Sequence, residues 1–569
     1  MIATGTRTLL DALNAAPAQR DFVTFWADED EFETVSFGDF RRRARVHGNL
    51  LRSHGVVSGD RVVIIMPQGI AAMSVFVGAM MLGAVPAILA YPNFKVEPAK
   101  YRFGLAGVTA NLRARVVVID EHFPDDLLEH VALGDTAELV RASDAHSAGD
   151  CDLPDPHCEP GSLAFLQHSA GTTGLQKGVA LTHRAVLTQL TTLTDALHID
   201  GATDRVYSWL PLYHDMGLIA CFMLPLACHL SVVMQSPLDW VMRPESMLQI
   251  LSEHRCTLAW LPNFTFQFVP RRTPRERWQN YDLSSVRVLI NCSEPVRAAS
   301  MDEFYRAFAQ CGLRSEALQS SYAMAENVFA VTQSGIGKYR QPATIWADGA
   351  RFRSEHRVVE VTENSRGAVS FASSGPLLPG NQARIVSDSG ATLDEGQVGE
   401  ILIAGDCLFA GYYNRPDLTA AAIVDGWYHT GDLGFLLEGE LYVVGRKKDL
   451  LIIGGENVYP QDLEEAAASH PAIHDGRAVA LGLYNPELGT EEIVLVAELE
   501  GEPAQVDVGT IEGEVRSRIV GATGVAVRTI FLKPPKWIVK STAGKPARSS
   551  TREKLLREHP ELRQENAEL

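Results

Sequence analysis

The sequence predicts an α/β protein. A large N-terminal domain of several subdomains combines α/β sheets with a small β-barrel, and a small, mobile α+β domain follows. Three observations carry this expectation. The chain has 569 residues, too many for one hydrophobic core. Short β-branched runs alternate with longer helical patterns, as parallel strands covered by helices require. Near residue 370 the pattern turns to short alternating strands, and past residue 446 it changes again.

The run "RVVIIM" (61–66) has the unbroken apolar character of a strand buried on both faces. The next segment, "GIAAMSVFVGAMMLGAVPAILAYP" from Gly69 to Pro92, carries no charge and has the length of a membrane span. Pro86 interrupts it, and Gly and Ala are frequent. It therefore reads as a buried helix followed by a buried strand, and no integral membrane protein is expected. "ARVVVID" (114–120), "LSVVMQ" (230–235) and "VRVLIN" (286–291) read as further parallel strands, and "PESMLQILSEHR" (244–255) as an amphipathic helix. "GNQARIVSDSG", "VGEILIAGD" and "GELYVVGR" alternate polar and apolar residues between Gly and Asp turns, which predicts a barrel-like part over about 370–445. After "GRKKD" (445–449), "QDLEEAAASHPAI" predicts a helix, "EEIVLVAELE" a strand and "KSTAGKPARSS" (540–550) a loop; the charged tail beyond Ser550 is helical or frayed. The domain boundary is placed between Arg446 and Asp449, giving domains 1–446 and 447–569.

The formal net charge is −19 with no Lys/Arg-rich block, which argues against a nucleic-acid-binding surface. The eight cysteines, at 151, 158, 221, 228, 256, 292, 311 and 407, show neither C-x-x-C nor zinc spacing. They are expected to be reduced thiols in a cytoplasmic protein. "MIATGTRTLLDAL" has neither the basic segment nor the apolar stretch of a signal peptide, so no bridge between Cys151 and Cys158 is expected.

One stretch has the composition of a phosphate-binding loop. "SAGTTGLQKG", Ser169 to Gly178, holds Gly171, Gly174 and Gly178, the hydroxyls of Ser169, Thr172 and Thr173, and Lys177. Glycines allow close backbone approach, and successive N–H groups make anion-binding concavities. A flexible surface turn has the same composition. The P-loop form G-x-x-x-x-G-K-[ST] is excluded, because Leu175 and Gln176 separate Gly174 from Lys177 and Gly178 follows the lysine.

Four further segments lie downstream: "SYAMAEN" (321–327), "WYHTGDLG" (427–434), "GRKKDLLIIGGENVYPQDLEE" (445–465) and "STAGKPAR" (541–548). In order and spacing, all five resemble the core motifs of the adenylate-forming superfamily. That group comprises acyl-CoA synthetases, peptide-synthetase adenylation domains, luciferases and fatty acyl-AMP ligases. The resemblance runs from about Val35 to Arg548. It implies ATP and Mg²⁺. The glycine-rich loop would cradle the β- and γ-phosphates, with Thr172 and Glu326 on the metal. Ser293, Glu294 and Pro295 would line the nucleotide, as would Ser321, Tyr322, Ala323 and Met324, with Tyr322 stacked on adenine. Asp432, with Arg446 beside it, would bind the ribose. Lys545, chosen over Lys540 because the motif sets the lysine directly after the glycine, would bridge carboxylate and α-phosphate. Lys448 would be the hinge of the C-terminal domain.

Within the superfamily, "NCSEPVR" (291–297), "LPNFTFQF" (261–268) and "YPQDLEE" (459–465) resemble the fatty acyl-AMP ligases. Extra material over about Gly335 to Gly367, before "SSGPLLPG" (373–380), resembles the insertion that in that branch limits C-terminal domain movement and disfavours CoA. The resemblance places His214, in "LPLYHDMGL", at the mouth of the acyl site, where the residue could equally be a core-edge histidine. It also places Asn263, Phe264, Phe266 and Met324 along that site. Gly454 and Gly455 depart from the branch and resemble the acyl-CoA synthetases. The function implied is ATP-dependent activation of an apolar carboxylic acid, with the acyl group passed to a carrier-protein thiol or a partner enzyme. A complete acyl-CoA ligase is the alternative. A non-catalytic binding homologue is a third reading, opposed by the presence of Glu326, Asp432 and Lys545.

Overall fold

A computed structural model describes residues 2, 5–28, 31–92, 98–131, 138–154, 156, 158–168, 177–336, 341–453, 456–485, 490–501, 507–540 and 545–563. Two seven-stranded sheets form the body of the large N-terminal domain. The first runs in the order Leu318–Ser320, Val288–Asn291, Leu258–Leu261, Arg205–Ser208, Ser231–Gln235, Asp21–Asp28, Glu31–Ser36. Every neighbouring pair is parallel except the final hairpin. The second runs Gly411–Tyr412, Gly178–Thr182, Leu163–His168, Val85–Ile88, Arg61–Ile65, Val116–Ile119, Glu138–Arg141, and is parallel from Leu163–His168 onward. The four β-branched runs are thus buried parallel strands, as their composition predicts.

The uncharged segment folds as helix Ile70–Met81 and strand Val85–Ile88. The helix packs on Phe37–Ser53 so closely that a Cβ on Gly78 would lie 2.5 Å from the Ala44 carbonyl. Pro86 sits inside a central strand, where its ring removes a donor. The Val85 and Leu89 N–H groups bond to Asp60 and Ile64, so the missing donor faces Leu163–His168, and pairing there shrinks to Ala87↔Leu166. Among the described residues no helix is long and apolar enough to cross a membrane.

The barrel forms, with two staves the sequence did not indicate. Strands Asn381–Val386, Gly399–Gly405, Trp427–Leu437 and Glu440–Arg446 make an antiparallel sheet. Ser374 and Leu441 backbone bonds join Glu440–Arg446 to the ribbon Thr344–Asp348/Ala368–Ala372. Residues 356–361 then bridge Thr344–Asp348 to residues 396–398 and close the ring. Much of the expected insertion is therefore barrel wall. Its helix Gly349–Glu355 turns Phe352 inward, against Phe371, Phe435 and Tyr442.

In the smaller C-terminal domain, strands Ile473–Asn485, Thr490–Leu499 and Thr529–Lys533 form one sheet. Helices Pro460–Ala468 and Val508–Thr523 cover one face; Trp537 and helix Arg548–Glu558 cover the other. The charged tail is helical and docked, with Leu555 fully buried. Cys151 is a free thiol, so no 151–158 bridge forms.

Candidate active site

The site forms where parallel strands of the first sheet end, outside their carboxyl edges. Leu258–Leu261 delivers Asn263 and Phe264, Val288–Asn291 delivers Ser293–Pro295, and Leu318–Ser320 delivers Ser321–Glu326. Asn263 knits these loops together. Its Oδ1 accepts from Asn291 Nδ2 at 2.8 Å and the Arg297 N–H at 3.1 Å, while its Nδ2 donates to Ser300 Oγ at 3.2 Å. Asn263 thus lines the cavity, but its amide is engaged in holding the walls. Ser321 acts similarly, donating to the Thr332 carbonyl at 2.7 Å. Phe264 is exposed to the cavity and Phe266 is not: two positions apart on one helical turn point in different directions. Phe266 is fully buried against Phe304, ring centroids 5.4 Å apart, which removes it from the expected acyl wall. Trp209 and Trp240 stack at 3.8 Å behind Phe264.

On the barrel side of the site, Asp432 and Arg446 are cross-strand partners, and Arg446 Nε lies 3.1 Å from Asp432 Oδ1. Tyr322 donates its hydroxyl to Asp432 Oδ2 at 2.6 Å. Burial, reinforced by the Asp432 carboxylate, pushes the Tyr322 phenol well above its usual range, so it remains a donor. This bond was not anticipated by the motif.

Glu326 lies on a single turn, Ala325–Asn327. The next residue, Val328, has φ +60° and ψ −55°, and the Phe329 N–H bonds to the Asn327 carbonyl at 2.6 Å. That is the γ-turn rarely adopted by an L-residue, and it holds local strain beside the carboxylate. Tyr412 donates to Glu326 Oε1 at 2.8 Å and touches the Tyr428 hydroxyl at 3.2 Å, while Lys177 Nζ lies 4.5 Å above the Tyr412 ring. Burial pushes the Glu326 carboxyl up, so a cation beside it would be favoured. A hard carboxylate oxygen suits Mg²⁺, which is commonly held by one or two carboxylates plus substrate phosphates. No cluster of three or more acidic, His or Cys ligands exists among the described residues.

His214 and Asp215 cap the fully buried π-helix Met216–Met223. His214 Nδ1 lies 2.5 Å from Asp215 Oδ1, and the Met216 N–H donates to the same oxygen at 2.8 Å. A Cβ on Gly217 would fall 2.3 Å from the Pro211 carbonyl, so only glycine lets the helix start here. Burial pushes Asp215 up, but His214, the Met216 N–H and Lys545 outweigh it and hold the carboxyl below its usual range.

Lys545 comes from the C-terminal domain and donates to the carbonyl of Ser293, a residue held at φ +69°. A cavity of about 630 Å³ opens between the domains. Phe264, Ser293, Glu294, Arg446 and Lys545 line it, with Tyr101 on an apolar flank. Ala323 and Met324 sit half-buried against the core, where the Met324 N–H bonds to Phe329. Lys448 lies in the turn Lys447–Asp449. His168 pairs with Gly178 and so brings the ends of the glycine-rich segment together. Ser169, Gly171, Thr172, Thr173 and Gly174, with Gly454 and Gly455, lie outside the described residues. Asp215, Tyr412 and Tyr428 are parts of the site that motif reading missed. The His-Asp dipeptide was a usable signal for the first; no local signal marks the tyrosines.

The domains also meet away from the cavity. Tyr459, in "YPQDLEE", is buried in the barrel core, 5.7 Å from the Phe352 ring. Asn457 Nδ2 lies 3.1 Å from His356 Nδ1. Arg297 lies 3.3 Å from Asp462 and 3.1 Å from Glu465, and Arg271 lies 2.6 Å from Asp475.

Residues 11–413 match the family model described as AMP-binding enzyme. The chain belongs to this family, and it is an adenylate-forming ligase. It is 31% identical over 580 residues to the 4-hydroxyphenylalkanoate adenylyltransferase of Mycobacterium marinum, covering 96% of this chain and 91% of that one. It is 28% identical to the medium-chain-fatty-acid–[acyl-carrier-protein] ligase JamA of Moorena producens, over 96% and 95% of the two chains. A structure from a study of fatty acyl-adenylate ligases of E. coli and L. pneumophila superposes with a TM-score of 0.89 at 28% identity, covering 98% of each chain.

Proposed function

We propose that the protein uses ATP and Mg²⁺ to convert an apolar carboxylic acid to an acyl-adenylate, releasing pyrophosphate, and passes the acyl group to the thiol of a carrier protein or a partner enzyme. The observation that carries this reading is that Lys545 and Arg446, the latter paired with the Asp432 to which Tyr322 donates, line one cavity with an apolar flank. The substrate carboxylate attacks the α-phosphorus while pyrophosphate leaves. Charge gathers on phosphoryl oxygens, so catalysis is positioning plus electrostatic stabilisation. Asp432 receives the ribose hydroxyls and the Tyr322 ring receives adenine. Lys545 leaves the Ser293 carbonyl for the carboxylate and α-phosphate. Glu326, with Thr172, would hold the Mg²⁺, which would supply charge neutralisation at the phosphates. The relatives named for 4-hydroxyphenylalkanoate and for medium-chain fatty acids bracket the acid as aryl-alkyl or aliphatic. The protein acts in the cytoplasm.

Domains 1–446 and 447–569 turn about Lys448. Tyr459 seated against Phe352 supports the adenylating orientation as the resting one. A bias of about 3 kcal/mol leaves the alternative below one per cent and makes CoA a poor acceptor. Gly454–Gly455 favours the second reading, a complete acyl-CoA ligase.

ATP–pyrophosphate exchange with straight-chain and 4-hydroxyphenylalkanoic acids tests adenylation, and no exchange with any acid would leave a binding homologue. Transfer to CoA is then compared with transfer to a phosphopantetheinylated carrier. Rapid acyl-CoA formation, unchanged in Phe352→Ala, would assign the chain to the acyl-CoA synthetases. Phe352→Ala is the cleaner probe, because shortening 335–367 removes barrel staves.

A further inference from the structure

The pair His214–Asp215 is built like the orienting half of a catalytic triad. Asp215 is 8% exposed and ionised, and its Oδ1 lies 2.5 Å from His214 Nδ1. The approach is bent, so Nδ1 has no aligned hydrogen bond. Such contacts often straighten only when ligand binds. With its proton on Nδ1 facing Asp215, the ring keeps Nε2 as an acceptor. The pair also lies beside the residues that receive Lys545, where the acyl carbon of the adenylate is formed. Met216 Sδ is 3.7 Å from Ser293 Oγ, and the Ser293 carbonyl receives Lys545. The charged and titratable groups around Asp215 are His214, Lys545, Cys292 and Glu326. Of these, Lys545 is a cation, burial pushes the Cys292 thiol up to about 12, and Glu326 is bonded to Tyr412. His214 has a side chain 20% exposed.

We propose that His214, oriented by Asp215, is the general base of acyl transfer, accepting the proton of the pantetheine-type thiol; this rests on the adenylating reading above. The S–H proton moves to Nε2, and the freed sulfur pair forms the C–S bond at the acyl carbon. The bond from that carbon to the phosphate oxygen breaks, and AMP departs with its electron pair. The imidazolium is balanced by Asp215 until it loses its proton to water. Asp215 is the positioning residue, and His214 the catalytic one.

The test separates the half-reactions, using the acid that gives the wild type its fastest exchange. Adenylation is read by pyrophosphate exchange, and transfer by single turnover of preformed acyl-adenylate with a phosphopantetheinylated carrier. In Asp215→Asn, which can still accept from the Met216 N–H, transfer at pH 7 is expected to fall about 10²-fold more than adenylation. The gap should close as pH passes the pantetheine thiol's own value, which lies above the Cys value of about 8.5, because the thiolate needs no base. Hydroxylamine, reactive without deprotonation, should capture the adenylate with no such extra loss. In His214→Ala, added imidazole should restore transfer selectively. Equal losses in both half-reactions, a gap constant with pH, or no imidazole rescue would overturn the assignment. Failure of the wild type to adenylate any acid would instead remove the reading beneath it.

Discussion

The nucleotide side of the cavity and the seam between the domains are built on different principles. Tyr322, Asp432 and Arg446 belong to one domain, with Asp432 buried and its bonds formed in advance. The seam joins two domains through one aromatic ring in a pocket, one lysine on a carbonyl and a few ion pairs with partly exposed side chains. A preorganised wall costs no rearrangement when charge develops. A seam of few, separable contacts can be broken and remade each cycle, and the substrate must compete for Lys545.

Lys545→Ala should show the largest effect, because the proposed reaction draws its one seam-borne cation from this lysine. Loss of one preorganised donor costs about 10²–10³ in rate, so pyrophosphate exchange should fall by that factor. Transfer from preformed adenylate should fall far less, and equal losses would place Lys545 in both half-reactions.

Glu326→Gln sharpens the contrast from the wall side. Burial raises this carboxyl, so the folded protein holds the proton more tightly than the unfolded chain. Stability from the group is present below the unfolded value of about 4.3 and is lost as pH rises toward the folded value. Glu326→Gln should therefore raise the unfolding temperature at pH 7 but not near pH 4. Mg²⁺-dependent exchange should fall by about 10² or more. A lower unfolding temperature at pH 7 would mean that Tyr412 and its neighbours already compensate the charge.

Tyr459→Ala empties the aromatic pocket. Truncating a buried aromatic typically costs about 3–5 kcal/mol, comparable to the bias proposed between domain orientations. Acyl transfer to CoA should rise about tenfold or more relative to adenylation, as measured by thioester yield per turnover; no rise would show that other contacts set the orientation. Arg297→Ala should be the mildest. Arg297 is 25% exposed and its partners Asp462 and Glu465 are 42% and 52% exposed, and ion pairs that keep this much contact with water contribute about 0–1 kcal/mol. A change in the same ratio of about fivefold at most is expected, fading with added salt.

Much of this was legible in the sequence because the candidate residues sit in short contiguous stretches, either on turns that follow strands or, for Asp432, within a strand. Tyr322, Glu326 and Asp432 could be read from seven- or eight-residue stretches. What escaped is set by distance along the chain. Tyr412 reaches Glu326 across 86 residues, and no window contains both. Phe264 and Phe266 look equivalent as letters, and only the helical turn separates cavity from core. The expected insertion was legible as extra length but not as barrel wall, because its partners at 396–398 and 441 lie on the far side of the turns.

The short strand Gly411–Tyr412 has a consequence for how the chain can vary. Residues 409–413 are stitched at one end to the Glu326 carbonyl and along the rest to Gly178 and Ala180, in the register Gly411↔Ala180, Tyr412↔Val179. They set the spacing between the Glu326 carboxylate and the strand that leaves the glycine-rich segment. Adding or removing one residue in such a strand turns every following side chain to the opposite face. Tyr412 would then leave Glu326, and Lys177 would lose the ring beneath it. This stretch is therefore fixed in length, whereas exposed loop tips elsewhere on the surface can lengthen freely.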